Sequence, residues 1–586
     1  MDECEQHHGG CMSEAQIEGE TVLPDYVVDT QKLCLAKGDG HRARYATLSY
    51  CWGSQPQPER TTTKNLESQL ERIKVMELPQ TLQDAIYTVR ELDIRYLWID
   101  SLCIIQDSEE HWDEQSRLMG NIYQNAVVNI SAAAGSAADD GCFVMRNPLA
   151  VRPCRIPQGA FPDRLPEGGF PSPNWMVPED HSLFLCIMPS QSGVPLDLAT
   201  SPEIVETRWP SGKVTGKHFD SIFDQRAWIL QEQMLSERML RFNAAGMSWR
   251  CRLKDLEENS PATDCRYGVP RSGTPPPQRW LGSRREWYEK VDHYNTEGWY
   301  DTVKKYNARH LTVATDKLPA LSGLATKFND TAPAADTYLA GLWKHDIACG
   351  LLWMPHDTSK GCRSKNSLYV APSWSWASLD PVRIEFYDRR RNDAGYTPSW
   401  RPPFSVIDVK CTPYLGDKHG RLKEASLRVR GWIREARLFT ESDPRGTSNS
   451  NDQSVMWGEW QGLIDAESGD MLGMVRLDEP IYPNGQILCL PLMERQMKEH
   501  FGLYKYLDII YDRRKEIEKL FDTRAVIRRK KRGWCYGRYG GMPEYYVYRC
   551  LALVKNQSDE CVRVGVADLW DLDWFTDDML RTITLV

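Results

Sequence analysis

No stretch of this chain approaches the ~18 consecutive apolar residues that a membrane helix needs. The acidic start Met1-Asp-Glu-Cys-Glu-Gln-His-His8 lacks the basic and apolar regions of a secretory leader. The 17 cysteines are odd in number and include no C-x-x-C pair, so free thiols in a reducing compartment are expected rather than a disulfide framework. The phosphate-loop pattern G-x-x-x-x-G-K-[ST], the zinc-hydrolase pattern H-E-x-x-H and the nucleophile elbow G-x-S-x-G are all missing. Gly38-Asp-Gly40 begins like a dinucleotide fingerprint, but Ala43 stands where the third glycine belongs and a strand follows where a helix is required, so it reads as a tight turn. With 72 Lys and Arg against 81 Asp and Glu, a net charge of -9 gives no general attraction to nucleic acid or anionic membranes. The one dense basic run, Arg528-Arg-Lys-Lys-Arg532, has no base-stacking aromatics between its charges and reads as a solvated loop. A cytoplasmic protein that binds neither nucleic acid nor membrane is the expectation.

What is present is an ordinary globular composition, 41% hydrophobic and 26% charged, over 586 residues. That length implies two to four domains. The 21 tryptophans include Trp374-Ser-Trp376, where large rings are expected to bridge elements. The organising stretch is Arg95-Tyr-Leu-Trp-Ile-Asp-Ser-Leu-Cys-Ile-Ile-Gln-Asp107. Its apolar run ends abruptly at Asp100-Ser101, as a strand buried on both faces does when it emerges at the carboxyl edge of a parallel sheet. Upstream, Leu82, Ala85, Ile86 and Val89 fall at helical spacing behind Pro79, and Tyr45-Ala-Thr-Leu-Ser-Tyr50 is a strand. Downstream, Trp112, Gln115, Met119, Ile122 and Tyr123 predict a helix, followed by a strand over Val127-Val-Asn-Ile-Ser131. The order β-α-β-α-β predicts an α/β domain with a parallel sheet.

These blocks carry a resemblance. Leu48-Ser-Tyr-Cys-Trp-Gly53, Leu78-Pro-Gln-Thr-Leu-Gln-Asp-Ala85, Leu97-Trp-Ile-Asp-Ser-Leu-Cys-Ile-Ile-Gln106 and Met119-Gly-Asn-Ile-Tyr-Gln-Asn-Ala126 resemble, in order and spacing, the fungal heterokaryon incompatibility (HET) domain. Arg226-Ala-Trp-Ile-Leu-Gln-Glu232, Asp316-Lys-Leu-Pro-Ala-Leu-Ser-Gly-Leu324 and Tyr369-Val-Ala-Pro-Ser-Trp-Ser-Trp-Ala377 resemble the extension that usually follows it. The resemblance implies a TIR-like, flavodoxin-like sheet. It also implies non-self recognition and regulated cell death, through a protein partner or self-association, with the remainder of the chain restraining the domain; a regulatory scaffold that does not kill is the alternative. The expected organisation is a mobile tail over 1–20, a HET domain over 21–150, a mixed α/β extension over 151–440 and a β-rich module over 441–586.

Parallel-sheet logic gathers Cys51, Trp52, Gly53, Asp100 and Ser101 at one rim, where a nucleotide ligand can sit. Asp100 is a candidate acid/base or ribose-binding group, or else the cap of the next loop. Cys51, Trp52, Gly53 and Ser101 are candidate binding residues, although Gly53 is equally explained by a turn needing positive φ. Enzymatic TIR domains cleave nicotinamide dinucleotides with a glutamate on a helix after a central strand. Here the family's carboxylate position, three residues after Trp112, holds Gln115, which cannot take a proton. Glu114 is the neighbouring candidate, about 100° away around the helix, with Asp113 and Asp107 requiring other geometries. His111 and Cys103 could pair as base and nucleophile only if one loop joined them. Arg226, Trp228, Gln231 and Glu232 form a polar-aromatic cluster that buttresses the domain or binds a partner. Cys4, His7, His8 and Cys11 place four zinc-type ligands in eight residues, but their spacing matches no common finger. No metal and no cofactor are expected.

Overall fold

The computed structural model describes residues 1–8, 11, 21–53, 59–145, 154–156, 183–185, 222–244, 246–258, 296–332, 336–356, 362–363, 369–380, 382–386, 402–438, 460–469, 471–479, 485–497, 545–569 and 572–586. They fall into two compact units, Met1–Tyr288 and Glu289–Val586. The basic run Arg528–Arg532 and nearly all of 151–220 lie outside the described residues.

The first unit is built on strands β1 (Tyr26–Asp29), β2 (Cys34–Lys37), β3 (Tyr45–Ser49), β4 (Tyr96–Trp98), β5 (Val128–Ala132), β6 (Met239–Asn243), β7 (Gly246–Arg250) and β8 (Asp255–Glu257). They form one eight-stranded sheet in the order β8-β7-β6-β5-β3-β4-β1-β2. The centre is parallel, with β3 pairing β4 on one side and β5 on the other, and β5 pairing β6. The margins are antiparallel, β1 against both β4 and β2, and β7 against both β6 and β8. The expected parallel sheet is therefore a mixed one. Three strands from beyond residue 150 complete it.

The helices are α1 (Asp2–His7), α2 (Leu66–Glu71), α3 (Gln80–Glu91), the single turn α4 (Asp100–Cys103), α5 (Glu109–Asn125) and α6 (Ala227–Leu235). Residues 2–7, in the segment expected to be a mobile tail, are helical with Cys4 buried. Helix α3 follows Pro79 directly and buries Leu82, Ala85, Ile86 and Val89, as its periodicity predicts. Ser108 caps α5 by accepting from the His111 N–H at 3.3 Å, and Glu109 and Glu110 face the helix dipole in the first turn. The chain moves from β3 to β4 through α3 and back across β3 to β5 through α5. Right-handed crossovers in opposite directions place α3 and α5 on opposite faces of the sheet.

Every residue of β3 and of β5 is buried. Two tyrosine hydroxyls fix α5 to β3, Tyr45 donating to the Ile122 carbonyl at 2.8 Å and Tyr123 to that of Leu48 at 3.1 Å. Trp98, fully buried, meets Tyr123 edge to face at 5.7 Å. Such aromatic pairs add roughly 0.5–1.5 kcal/mol beyond their area burial.

The second unit begins with α7 (Thr296–Asn307) and α8 (Pro319–Asp330). Around them Trp299, Trp343, Trp353, Trp374 and Trp376 are fully buried. Three of these indoles donate: Trp299 and Trp376 both to the Gly341 carbonyl, at 2.9 and 3.1 Å, and Trp353 to that of Trp374 at 2.9 Å. Gly341 has φ +95°, and a Cβ there would lie 2.5 Å from the Trp376 indole nitrogen.

A nine-stranded sheet follows, made of β9 (Phe404–Pro413), β10 (Leu422–Trp432), β11 (Arg434–Leu438), β12 (Trp460–Asp465), β13 (Met471–Leu477), β14 (Gln486–Met497), β15 (Tyr545–Lys555), β16 (Cys561–Leu569) and β17 (Leu580–Leu585). The order β16-β13-β12-β11-β14-β15 closes on itself because β15 also pairs β16, and β17, β10 and β9 extend it from β16. The β-rich module thus has a barrel-like core. It begins before residue 441, since β9 to β11 belong to it. No helix among the described residues is long and apolar enough to cross a membrane.

Candidate functional site

The site lies at the carboxyl ends of β3, β4 and β5. β4 ends at Trp98, and Asp100 starts the one-turn helix α4. One carboxylate oxygen of Asp100 accepts from the backbone N–H of Ser101 at 2.7 Å, and the other from the indole N–H of Trp52 at 2.9 Å. Asp100 therefore holds a backbone N–H of its own turn and also ties it to the strand end at Trp52. The Tyr50 hydroxyl donates to Ser101 Oγ at 2.8 Å, while the Tyr50 carbonyl accepts from Arg226 Nη1 at 2.6 Å. Burial pushes the Asp100 carboxyl up, against the pull of the Arg226 guanidinium and the Trp52 indole. The Cys51 thiol is likewise raised by burial and opposed by Arg226.

Cys51, Trp52, Asp100 and Ser101 are therefore brought together as the sheet logic predicts. Gly53 adjoins them but is exposed, with φ +90°, and a Cβ there would sit 2.9 Å from that of Ala137. The turn explains this glycine. Gly53→Ala should cost roughly 1–3 kcal/mol of stability, read as a lowered Tm; an unchanged Tm would show that the turn relaxes freely.

Helix α6 carries the cluster that sequence reasoning left open between a buttress and a partner site. It packs beside α5, with Trp228 edge to face on Trp112 at 6.3 Å, and all its residues except Trp228 are buried, Gln231, Glu232 and Gln233 included. Glu232 is raised to about 7, first by burial and further by the charge of Asp100, with the hydroxyls of Ser49 and Tyr123 and the charge of Arg226 acting against the shift. Its Oε2 is buried with no hydrogen-bond partner among the described residues. Ser49 Oγ also accepts from Asn129 Nδ2 at 3.0 Å, so polar side chains from β3, β5, α5 and α6 converge behind Asp100. Just before α6, Asp224 forms a buried fork with Arg241 at 2.5 and 3.2 Å and accepts from Gln233 at 2.8 Å. The readable signal was the set of polar residues, Ser49, Asn129 and Ser131, inside strands that are otherwise apolar. Glu232, raised to about 7, can hold and release a proton near neutral pH, and burial shifts Asp100 in the same direction.

The other candidates lie apart from this set. Glu114 is exposed on α5. Gln115 is fully buried and donates from Nε2 to Asp25 at 2.8 Å. Asp107 accepts from the backbone and hydroxyl of Thr63, both at 2.7 Å. His111 Nδ1 accepts from the Ile105 N–H at 3.2 Å, whereas Cys103 is buried against β4, its thiol pushed up to about 12. They form no dyad.

The comparisons with known proteins bear on the same blocks. The family described as heterokaryon incompatibility protein (HET) matches residues 45–232, a range that takes in Trp52, Asp100, Arg226 and Glu232. The protein named heterokaryon incompatibility protein 6, OR allele, of Neurospora crassa is 33% identical over 107 residues, covering 17% of this chain and 16% of that protein. No solved structure matches. Residues 45–232 thus carry the likeness to a HET domain.

Proposed function

We propose that this protein acts in fungal non-self recognition, its HET domain being the effector of regulated cell death and the rim around Asp100 and Glu232 its working part. The observation that carries this reading is the convergence at one rim of Trp52, Asp100, Arg226 and Glu232, from three separate blocks of the family match. The name of the Neurospora crassa relative points the same way. Restraint by the remainder of the chain requires a contact that changes with state, released by a protein partner or by self-association. The test is viability of fungal cells after induced expression of the intact chain, of residues 1–288, and of 1–288 carrying Asp100→Ala. Killing by the fragment alone, relieved by the substitution, is expected. A folded, abundant fragment that harms nothing would sink the proposal.

The paired carboxyls favour a second reading, in which the domain cleaves NAD or a related nucleotide. In chain order the parallel strands run second, first, third, fourth across the sheet, which supports a flavodoxin-like reading with the ligand where first and third diverge. Ser49 and Ser131 stand at that divergence. A TIR-like activity here would use Glu232 in place of Glu114. Purified intact chain should then consume NAD, Glu232→Gln should stop it, and Glu114→Gln should leave it unchanged; absence of turnover at every pH from 5 to 8 would refute this reading.

A further inference from the structure

The amino-terminal cysteines and histidine meet a fourth ligand that lies far downstream. Cys4, His8, Cys11 and Cys251 are all buried, and their ligand atoms lie within 4.8 Å of one another. Cys4 is on α1, His8 follows it, and the Cys11 N–H returns to the His8 carbonyl at 2.8 Å. Cys251 follows β7 directly. A tetrahedron built on Zn–S bonds of about 2.3 Å and Zn–N bonds of about 2.0–2.1 Å sets sulfur and nitrogen about 3.6 Å apart. Cys251 Sγ and His8 Nδ1 stand 3.5 Å apart. Cys4, Cys11 and Cys251 are all free of disulfides.

The surroundings suit a metal thiolate cluster rather than three neutral thiols. Arg238 is 1% exposed, sends Nε to Cys4 Sγ at 3.3 Å and Nη1 to the Val127 carbonyl at 3.3 Å, and its Nη2 has no hydrogen-bond partner among the described residues. A buried guanidinium is costly unless an opposite charge faces it. One Zn2+ with three thiolates and a neutral imidazole carries a net charge of -1, which that guanidinium balances. The Lys254 N–H donates to Cys251 Sγ at 3.2 Å, a bond that favours the thiolate. Outside the cluster, Glu3 pairs with Lys254, and Glu5 with Arg44 just before β3 at 2.8 Å, so α1 is already seated on the first unit.

We propose that Cys4, His8, Cys11 and Cys251 bind one zinc ion in a closed tetrahedral Cys3His site that clamps the amino-terminal helix to the β7 margin of the first unit. On binding, each of the three thiols loses its proton to solvent and its sulfur gives an electron pair to the metal; the imidazole binds neutral through Nδ1. Four protein ligands leave no open position, so the site is structural. Neither the spacing of Cys4, His8 and Cys11 nor the expected tail discloses it, because Cys251 supplies the missing ligand.

The test uses the untagged intact chain, purified under reducing conditions without added metal. Elemental analysis should find one zinc per chain. Exchange for Co2+ should give the d–d absorption of a tetrahedral site with a thiolate charge-transfer band. Cys251→Ser should lose zinc, whereas His8→Cys should keep the metal and strengthen the charge-transfer band. Cys142→Ser, at a buried thiol away from the cluster, should leave zinc content unchanged. A folded intact chain that holds no zinc and gives no such band with Co2+ would overturn the site, as would equal zinc loss from Cys142→Ser and Cys251→Ser.

Discussion

Asp478→Ala is expected to destabilise the second unit by about 3–5 kcal/mol, the usual result of leaving one partner of a buried ion pair uncompensated. Asp478 and Arg563 are both fully buried, joined through Nε and Nη2 at 3.0 Å each. Arg363 reaches the same carboxylate at 3.2 Å. Arg563 lies 3.4 Å over the Trp353 ring and also donates to the carbonyls of Leu351 and Trp353. One charged side chain thus joins β16 to the tryptophan-rich segment before the barrel, and removing its counterion strands it in an apolar environment. Urea unfolding, or native-state exchange at the β13 and β16 amides, measures the loss. Asp478→Ala combined with Arg563→Met should recover part of it, since the orphaned charge goes too. A loss below about 1 kcal/mol would mean that water reaches the pair.

The second large effect is one of pH. Glu232 is raised from its ordinary value of 4.5 to about 7. Between those values the folded chain holds a proton that the unfolded chain has released. Stability therefore falls as pH rises through this window and levels off above it. At 1.36 kcal/mol per unit, the full drop is about 3 kcal/mol. Asp100 is raised for the same primary reason, burial, and its contribution has the same sign. Glu232→Gln should flatten the slope and leave the first unit more stable than the natural chain at pH 8. Exchange of the β3 and β5 amides at pH 5 and pH 8 provides the comparison. An unchanged slope in the variant would show that Glu232 is ionised in the fold at neutral pH, and the acid/base reading of the rim would lose its basis.

The centre of the first unit was legible because its elements obey simple periods. Leu82, Ala85, Ile86 and Val89 repeat as one helix face, and the run through Trp98 stops at a carboxylate, so β3, α3, β4, α5 and β5 could be read locally. Asp100 and Trp52 followed from the rule about carboxyl edges. Glu232 did not, for a physical reason. Helix α6 is buried nearly all round and carries Gln231, Glu232 and Gln233 among its apolar residues, so no stripe separates core from surface. Nor does local patterning reveal that β6 to β8 extend the first sheet, or that β15 turns back onto β16. Those pairings are chosen by distant partners. The pairing of Cys251 with an amino-terminal cluster belongs to the same category.

The place of β6 has a consequence during synthesis. β5 pairs with β3 on one side and with β6 on the other, yet Met239 leaves the ribosome roughly a hundred residues after Ala132. At about 5–20 residues per second, the outer edge of Val128-Asn-Ile-Ser-Ala132 waits on the order of 5–20 s for its partner. An unpaired apolar edge is a template for strand addition. On a growing polysome, where identical nascent chains crowd together, that edge is the segment a chaperone must cover until β6 arrives.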